Sequence, residues 1–233
     1  MPFLDDSGAR PEEERHPVWR ALALAREQLE RVILLNLLWA AQTAPLLLAW
    51  AVPGLPVWAR TAMALYTAFA IVPASGMLYG ALAELSDGAP LSAEVFWASL
   101  RAQAAPSFLK LFPLASGFVW LAWVAQWATQ NQWLWLDVLA RLAFLLLAVT
   151  ALYWGPLMVL RPTLSAGGIL KEAARAVWRK PALTLLTGLA CLLALALGVI
   201  SLGGFFLIAP ALMALMQVEL YHSTRGKRNA EAS

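Results

Sequence analysis

Arg60 and Arg141 are the side chains best placed to do chemistry, because each is a permanent cation set among apolar residues. Asp137 lies one helical turn before Arg141, the spacing of an i,i+4 ion pair. Asn36 is an amide inside a third apolar run. Together Asn36, Arg60, Asp137 and Arg141 could line a polar intramembrane path or an outward vestibule, offering charge and hydrogen bonds to a small solute. The plainer alternative is preferred for each. The arginines would stretch their apolar stems and place the cation at headgroup phosphates. Asn36 would close a hydrogen bond to a neighbouring backbone, worth about 1 kcal/mol. Gln42, six residues on, is on a nearby but not identical face, so the two amides need not form one site. Glu84 and Glu219 fall at the ends of apolar runs and read as solvated boundary charges.

Catalysis finds little to work with. The histidines are His16 and His222, both outside the apolar runs, so neither a histidine metal cluster nor a triad assembles at depth. No phosphate-binding glycine loop, zinc-protease motif or pair of carboxylates at helical spacing within an apolar run is present. Cys191 is the single cysteine, which excludes an intrachain disulfide. The expectation is a non-catalytic protein with no metal and no cofactor.

The elements that must position these residues follow from composition. Of 233 residues, 61% are hydrophobic and 13% charged, against about 45–50% apolar and 25% charged in soluble domains. A globule of this length cannot hide that much apolar side chain from water. The expected fold is therefore an all-α polytopic bundle in a lipid bilayer, with about 20 apolar residues per crossing. Spans are predicted over residues 32–52, 57–83, 107–129 and 136–160. The forty residues 182–221 are too long for one crossing, and a turn at Ser201-Leu202-Gly203-Gly204 divides them. Pro53-Gly54-Leu55-Pro56 separates the first two spans. That makes six, filling a transmembrane domain over 18–222. Pro45, Pro73, Pro156 and Pro210 lie inside spans and should kink them. Residues 1–17 are polar and acidic and read as a disordered tail rather than a cleavable leader, and 223–233 as a basic tail.

Orientation comes from the cations. With the N-terminus inside, fifteen of the seventeen Lys and Arg fall on the inner side, leaving only Arg60 and Arg141 outside. This bias predicts that both termini lie in the cytoplasm. The net charge of +3 is thus a topology signal and not a nucleic-acid footprint. Trp50, Trp58, Trp127, Trp133 and Trp135 mark the outer boundary, and Trp19, Trp97 and Trp178 the inner one.

Three inner segments alternate polar and apolar residues at helical spacing: 18–31, expected to run on into the first span, 91–105 and 164–180. The last two are predicted to be short helices on the membrane surface. Arg175, Arg179 and Lys180 would then face water or an acidic partner as a docking surface. Leu91-Ser92-Ala93 recurs as Leu164-Ser165-Ala166, and Pro106 as Pro181, so a unit of span, surface helix and span is expected to be duplicated. Small residues at Gly76 and Gly80, and at Ala190, Ala194 and Gly198, allow close helix approach. Packing within the chain is the expected use, and a homodimer seam the alternative.

Three stretches resemble the YesL family, bacterial integral membrane proteins of unknown function. They are Leu35-Asn36-Leu37-Leu38-Trp39 after a helical lead-in; Pro73-Ala74-Ser75-Gly76-Met77-Leu78-Tyr79 followed by Phe96-Trp97; and Gly155-Pro156-Leu157 with Arg175-Ala176 and Pro181. The resemblance covers about residues 18–222, and the Pro-rich turn after the first span departs from the pattern. It implies an accessory or regulatory role beside carbohydrate ABC transporters, whose subunits would be partners. It carries over no catalytic or ligand residue. A transporter or channel in its own right is the alternative.

Overall fold

A proline lacks the N–H that would bond back into a helix, so a proline inside an apolar run either opens a new helix or needs support from neighbours. The computed structural model, which describes residues 16–88, 93–201 and 203–230, shows both outcomes. Pro45, Pro156 and Pro210 each lie in the first turn of a helix that follows a break. Pro73 sits inside an unbroken one.

The described residues form helices and no strands. In chain order they are α1 Pro17–Glu27, α2 Leu29–Ala41, α3 Ala44–Ala51, α4 Val57–Ser86, α5 Ala93–Gln130 and α6 Leu134–Ala151. There follow α7 Trp154–Leu160, α8 Ala166–Arg179, α9 Pro181–Ile200, α10 Gly203–Leu207 and α11 Ala209–Ala230. Four helices are long and apolar enough to cross a membrane: Val57–Ser86, the Trp97–Gln130 part of α5, Leu134–Ala151 and Pro181–Ile200. Counting α2 and α3 as one crossing bent by 54° makes five. Among the described residues the chain is thus a helical bundle in which four or five elements are long and apolar enough to cross a membrane.

Besides the break between α6 and α7, which divides the span expected over 136–160, three expected elements take a different form. The lead-in is not continuous with the first span, because Gln28 leaves helical geometry at φ −122°, ψ 38° and separates α1 from α2. The break lets α1 fold onto α11, where the small side chains of Ala21 and Ala25 are buried and allow close approach. The second difference concerns 91–105. Residues 91 and 92 lie outside the described residues, but from Ala93 the helix runs straight through Pro106 and Pro113 to Gln130. Packing on α4 explains this continuity. Ser99, before the proline, seats against Gly80, and Ser107, after it, seats against Gly76. The Ser99 hydroxyl donates to the Met77 carbonyl at 3.1 Å, so both sides of Pro106 are pinned to one partner helix. The third difference is a double break near residue 201, with α10 lying between Ser201 and Ile208.

The 164–180 segment does form a separate helix. Ser165 caps α8 by accepting from the Gly168 N–H at 3.2 Å. Ile169 and Ala173 are buried on one face while Lys171 and Arg175 face outward. Lys180, at φ −136°, ψ 63°, ends it, and Pro181 opens α9.

Two clusters make the core, and α11 runs through both. One gathers Ala21, Val32, Leu35, Leu82, Ala211 and Leu215 from α1, α2, α4 and α11. The other gathers Leu111, Tyr153, Met158, Ile169 and Leu220 from α5, the turn before α7, α7, α8 and α11, with Tyr153 also bonded to Thr184 of α9 at 2.7 Å.

Candidate functional site

Three buried polar side chains, Asn36, Gln217 and Glu219, lie on or against α11. Each end of a helix leaves backbone groups without intrahelical partners, and in an apolar interior such groups must be satisfied by something else. The short helix α10 and the start of α11 expose several. Asn36 of α2, fully buried, meets three of them. Its Nδ2 donates to the carbonyls of Phe205 at 3.0 Å and Phe206 at 2.7 Å, and its Oδ1 accepts from the Ala211 N–H at 2.8 Å. The amide is a structural bracket across the break.

Half-way along the helix, Gln217 accepts from the Tyr79 hydroxyl at 2.5 Å. The Tyr79 ring lies where a side chain on Gly155 would stand, so that glycine makes room for it. Half a turn further, Glu219 is 0% exposed. Its carboxylate pairs with Arg20 Nε at 3.0 Å and accepts from Ser86 Oγ. The sequence predicts a boundary charge in solvent there; the structure instead buries the carboxylate in an ion pair with a partly exposed arginine, joining α1, α4 and α11. Glu84, by contrast, is exposed. The Arg20–Glu219 pair escaped the sequence reading. Its signal is a lone acid in the apolar stretch 205–221, with an arginine beside the buried alanines of α1.

Arg60 and Arg141 do not meet Asn36 or each other. Arg60 donates to the Pro53 carbonyl at 2.7 Å and so closes the turn after α3, beside a hollow lined by Leu46, Trp50 and Thr61. Arg141 pairs with Asp137 at 2.8 Å, as the i,i+4 spacing predicted, and Asp137 also accepts from Thr129 at 3.1 Å. This group sits in an open groove of about 690 Å³ between α5 and α6, lined by Leu121, Ala125, Gln126 and Phe144. The two hollows share no residue. Arg60 and Arg141 thus line separate hollows, and Asn36 lines neither of them.

The small residues are used within the chain. A Cβ on Gly76 would overlap Ser107, one on Gly80 would overlap Ser99, and one on Gly198 would press on Ala209 at 2.7 Å. Ala190 is half-buried against the α11 core, and Ala194 is half-buried too. Of the three docking cations, Arg175 is paired with Glu172 at 2.5 Å and Arg179 is exposed. Lys180 donates to the Ser223 carbonyl at 2.5 Å and ties α8 to α11. Arg175 and Arg179 remain on the surface; Lys180 is a tether.

Among the described residues no group of three or more His, Cys, Asp or Glu converges as metal ligands would. No family model, curated protein or solved structure matches this chain.

Proposed function

We propose that the chain is a non-catalytic integral protein of a bacterial cytoplasmic membrane, crossing six times with both termini inside. Its role on this reading is accessory or regulatory, beside a carbohydrate ABC-type uptake system. The sixth crossing would be α11, whose apolar first half packs on α9 and α2. The duplicated unit would pair α4 and α5 with α6 to α9.

One observation carries the scaffold part of this reading. The deep polar side chains Asn36, Gln217 and Glu219 are each engaged by the protein itself. A carrier for sugar must offer free donors and acceptors to replace lost hydration. The link to sugar uptake rests on the resemblance to the YesL family and on the exposed arginines of α8. The test is capture of the tagged full-length chain in mild detergent from cells grown on polysaccharide. Permease subunits are expected in the eluate in fixed ratio, and recovery of the chain alone at every expression level overturns the proposal.

The open groove beside Arg141 favours the second reading, a transporter or channel. Replacing Arg60 and Arg141 together should then abolish solute flux in proteoliposomes, and unchanged flux disposes of that reading.

A further inference from the structure

We infer that a small, partly open hollow bordered by α7, α8 and α11 binds a phosphate group. Arg161, at the end of α7, and Arg175 and Arg179, one turn apart on α8, all line it. The one acid among them is Glu172, whose carboxylate lies 2.5 Å from Arg175 and 3.8 Å from Arg161. Three guanidiniums against one carboxylate leave a net charge of +2 at the cavity wall. Arg179 has no ion pair or hydrogen bond among the described residues.

A second, independent observation points to an occupant. Tyr221 also lines the cavity, is 95% removed from solvent, and its hydroxyl has no hydrogen-bond partner among the described residues. A buried O–H left unpaired costs on the order of a full hydrogen bond, so such groups are normally satisfied by a ligand or water. The volume, about 40 Å³, holds something compact. Water would satisfy the tyrosine; an anion would in addition offset the surplus of positive charge. A carboxylate is already present in Glu172, and it leaves Arg179 and Tyr221 unanswered. A tetrahedral oxyanion presents several acceptor oxygens to donors arriving from different directions. That suits guanidiniums and a phenol arriving from the end of α7, from α8 and from α11.

The same chemistry has two sources. Trp178, next to Arg179, is 89% exposed on α8, as befits a ring resting among lipid headgroups. That placement suits the phosphate of an inner-leaflet phospholipid, whereas free phosphate or a phosphomonoester would enter from the cytoplasm. The inference stands on this cavity and does not require the sugar-uptake reading; loss of one leaves the other intact.

The test uses the full-length chain in a maltoside micelle, which carries no phosphate. One arm follows tryptophan fluorescence on heating with added inorganic phosphate, at constant ionic strength with chloride as reference. The other arm adds either dioleoyl phosphatidylglycerol or phosphate-free dioleoylglycerol and measures retained lipid by native mass spectrometry. Saturable stabilisation by phosphate marks a soluble source, and selective retention of the phospholipid with no response to phosphate marks the lipid. In whichever arm responds, Arg179→Gln should weaken binding by about tenfold or more, because a charge-assisted bond is lost. Tyr221→Phe, which keeps the ring and the fold, should weaken it by roughly threefold to tenfold. Arg60→Gln, on another face, should leave binding unchanged. Absence of any response in both arms overturns the inference, as does a wild-type response in both Arg179→Gln and Tyr221→Phe.

Discussion

Helices α9 and α11 pack against each other, yet their sequences and surroundings are opposite. Helix α9 has twenty residues and no charge, and its leucines face outward: Leu189 is 64% exposed and Leu192 is 63% exposed. Helix α11 carries Gln217 and Glu219, and these are buried. In water the arrangement would be inverted, with the apolar helix inside and the polar one at the surface. Here polarity is sorted toward the centre and apolar area toward the outside. Such sorting lowers free energy only when the outer surroundings are themselves apolar. In lipid, association of helices rests on close packing and on buried polar bonds rather than on hiding leucine. The contrast therefore locates cohesion in the polar and small residues of the interior, and it can be broken residue by residue.

The largest effect should come from Glu219→Leu. It removes the partner of Arg20 and leaves a guanidinium in the seam between α1 and α11, a change that costs roughly 3–5 kcal/mol when the stranded charge is fully buried. Because the Arg20 side chain is 29% exposed and can reach solvent, the low end is expected. Thermal unfolding of the full chain in micelles reads the loss. The double substitution Arg20→Met with Glu219→Leu should recover most of it, since no charge is then left unpaired. A double variant as unstable as the single one would show that the pair is not the cause.

Next in size is the α4–α5 seam. Gly80→Val places methyl groups where the Ser99 hydroxyl stands, and overpacking of this kind costs about 1–3 kcal/mol. Gly54→Val is the matched control, because nothing lies within 4 Å of a side chain there. Equal destabilisation by both would mean that glycine's backbone freedom, not the seam, matters. Asn36→Leu follows, stranding the Phe205 and Phe206 carbonyls and the Ala211 N–H. Interhelical bonds of this type average about 0.6 kcal/mol and reach about 1.7, so a loss of about 1–2 kcal/mol is expected. Hydrogen exchange at the Ala211 amide should rise with it, and an unchanged exchange rate there would refute the bracket.

Much of this contrast was legible in the sequence, but not its centre. The apolar runs, the Pro53–Pro56 interruption and the amphipathic pattern of α8 all follow from residue type and period. So does the Asp137–Arg141 pair, because its partners are four residues apart. Asn36 and its backbone partners are separated by about 170 residues, and periodicity says nothing about which distant break an amide will bridge. Glu219 misled for a related reason. Its position near the end of an apolar run suggested solvent, while the folding back of α1 that buries it depends on the break at Gln28. Pro106 and Pro181 show the same limit. Similar local sequence ends one helix and passes through another, according to whether α4 holds both sides of the proline.

The smallest effect is the sharpest test of the contrast. Leu192→Ala removes three carbons from a side chain already 63% exposed on α9. In water-soluble proteins a core Leu→Ala costs 2–5 kcal/mol, through lost transfer from water and the cavity left behind. Neither term applies to a leucine that faces hydrocarbon in both the folded and the dissociated bundle. A change below about 0.5 kcal/mol is expected in lipid nanodiscs, whereas Leu215→Ala on α11, fully buried, should fall in the cavity range. Comparable losses at the two positions would mean that the leucines of α9 are covered by protein, and the sorting of polarity inward would lose its physical basis.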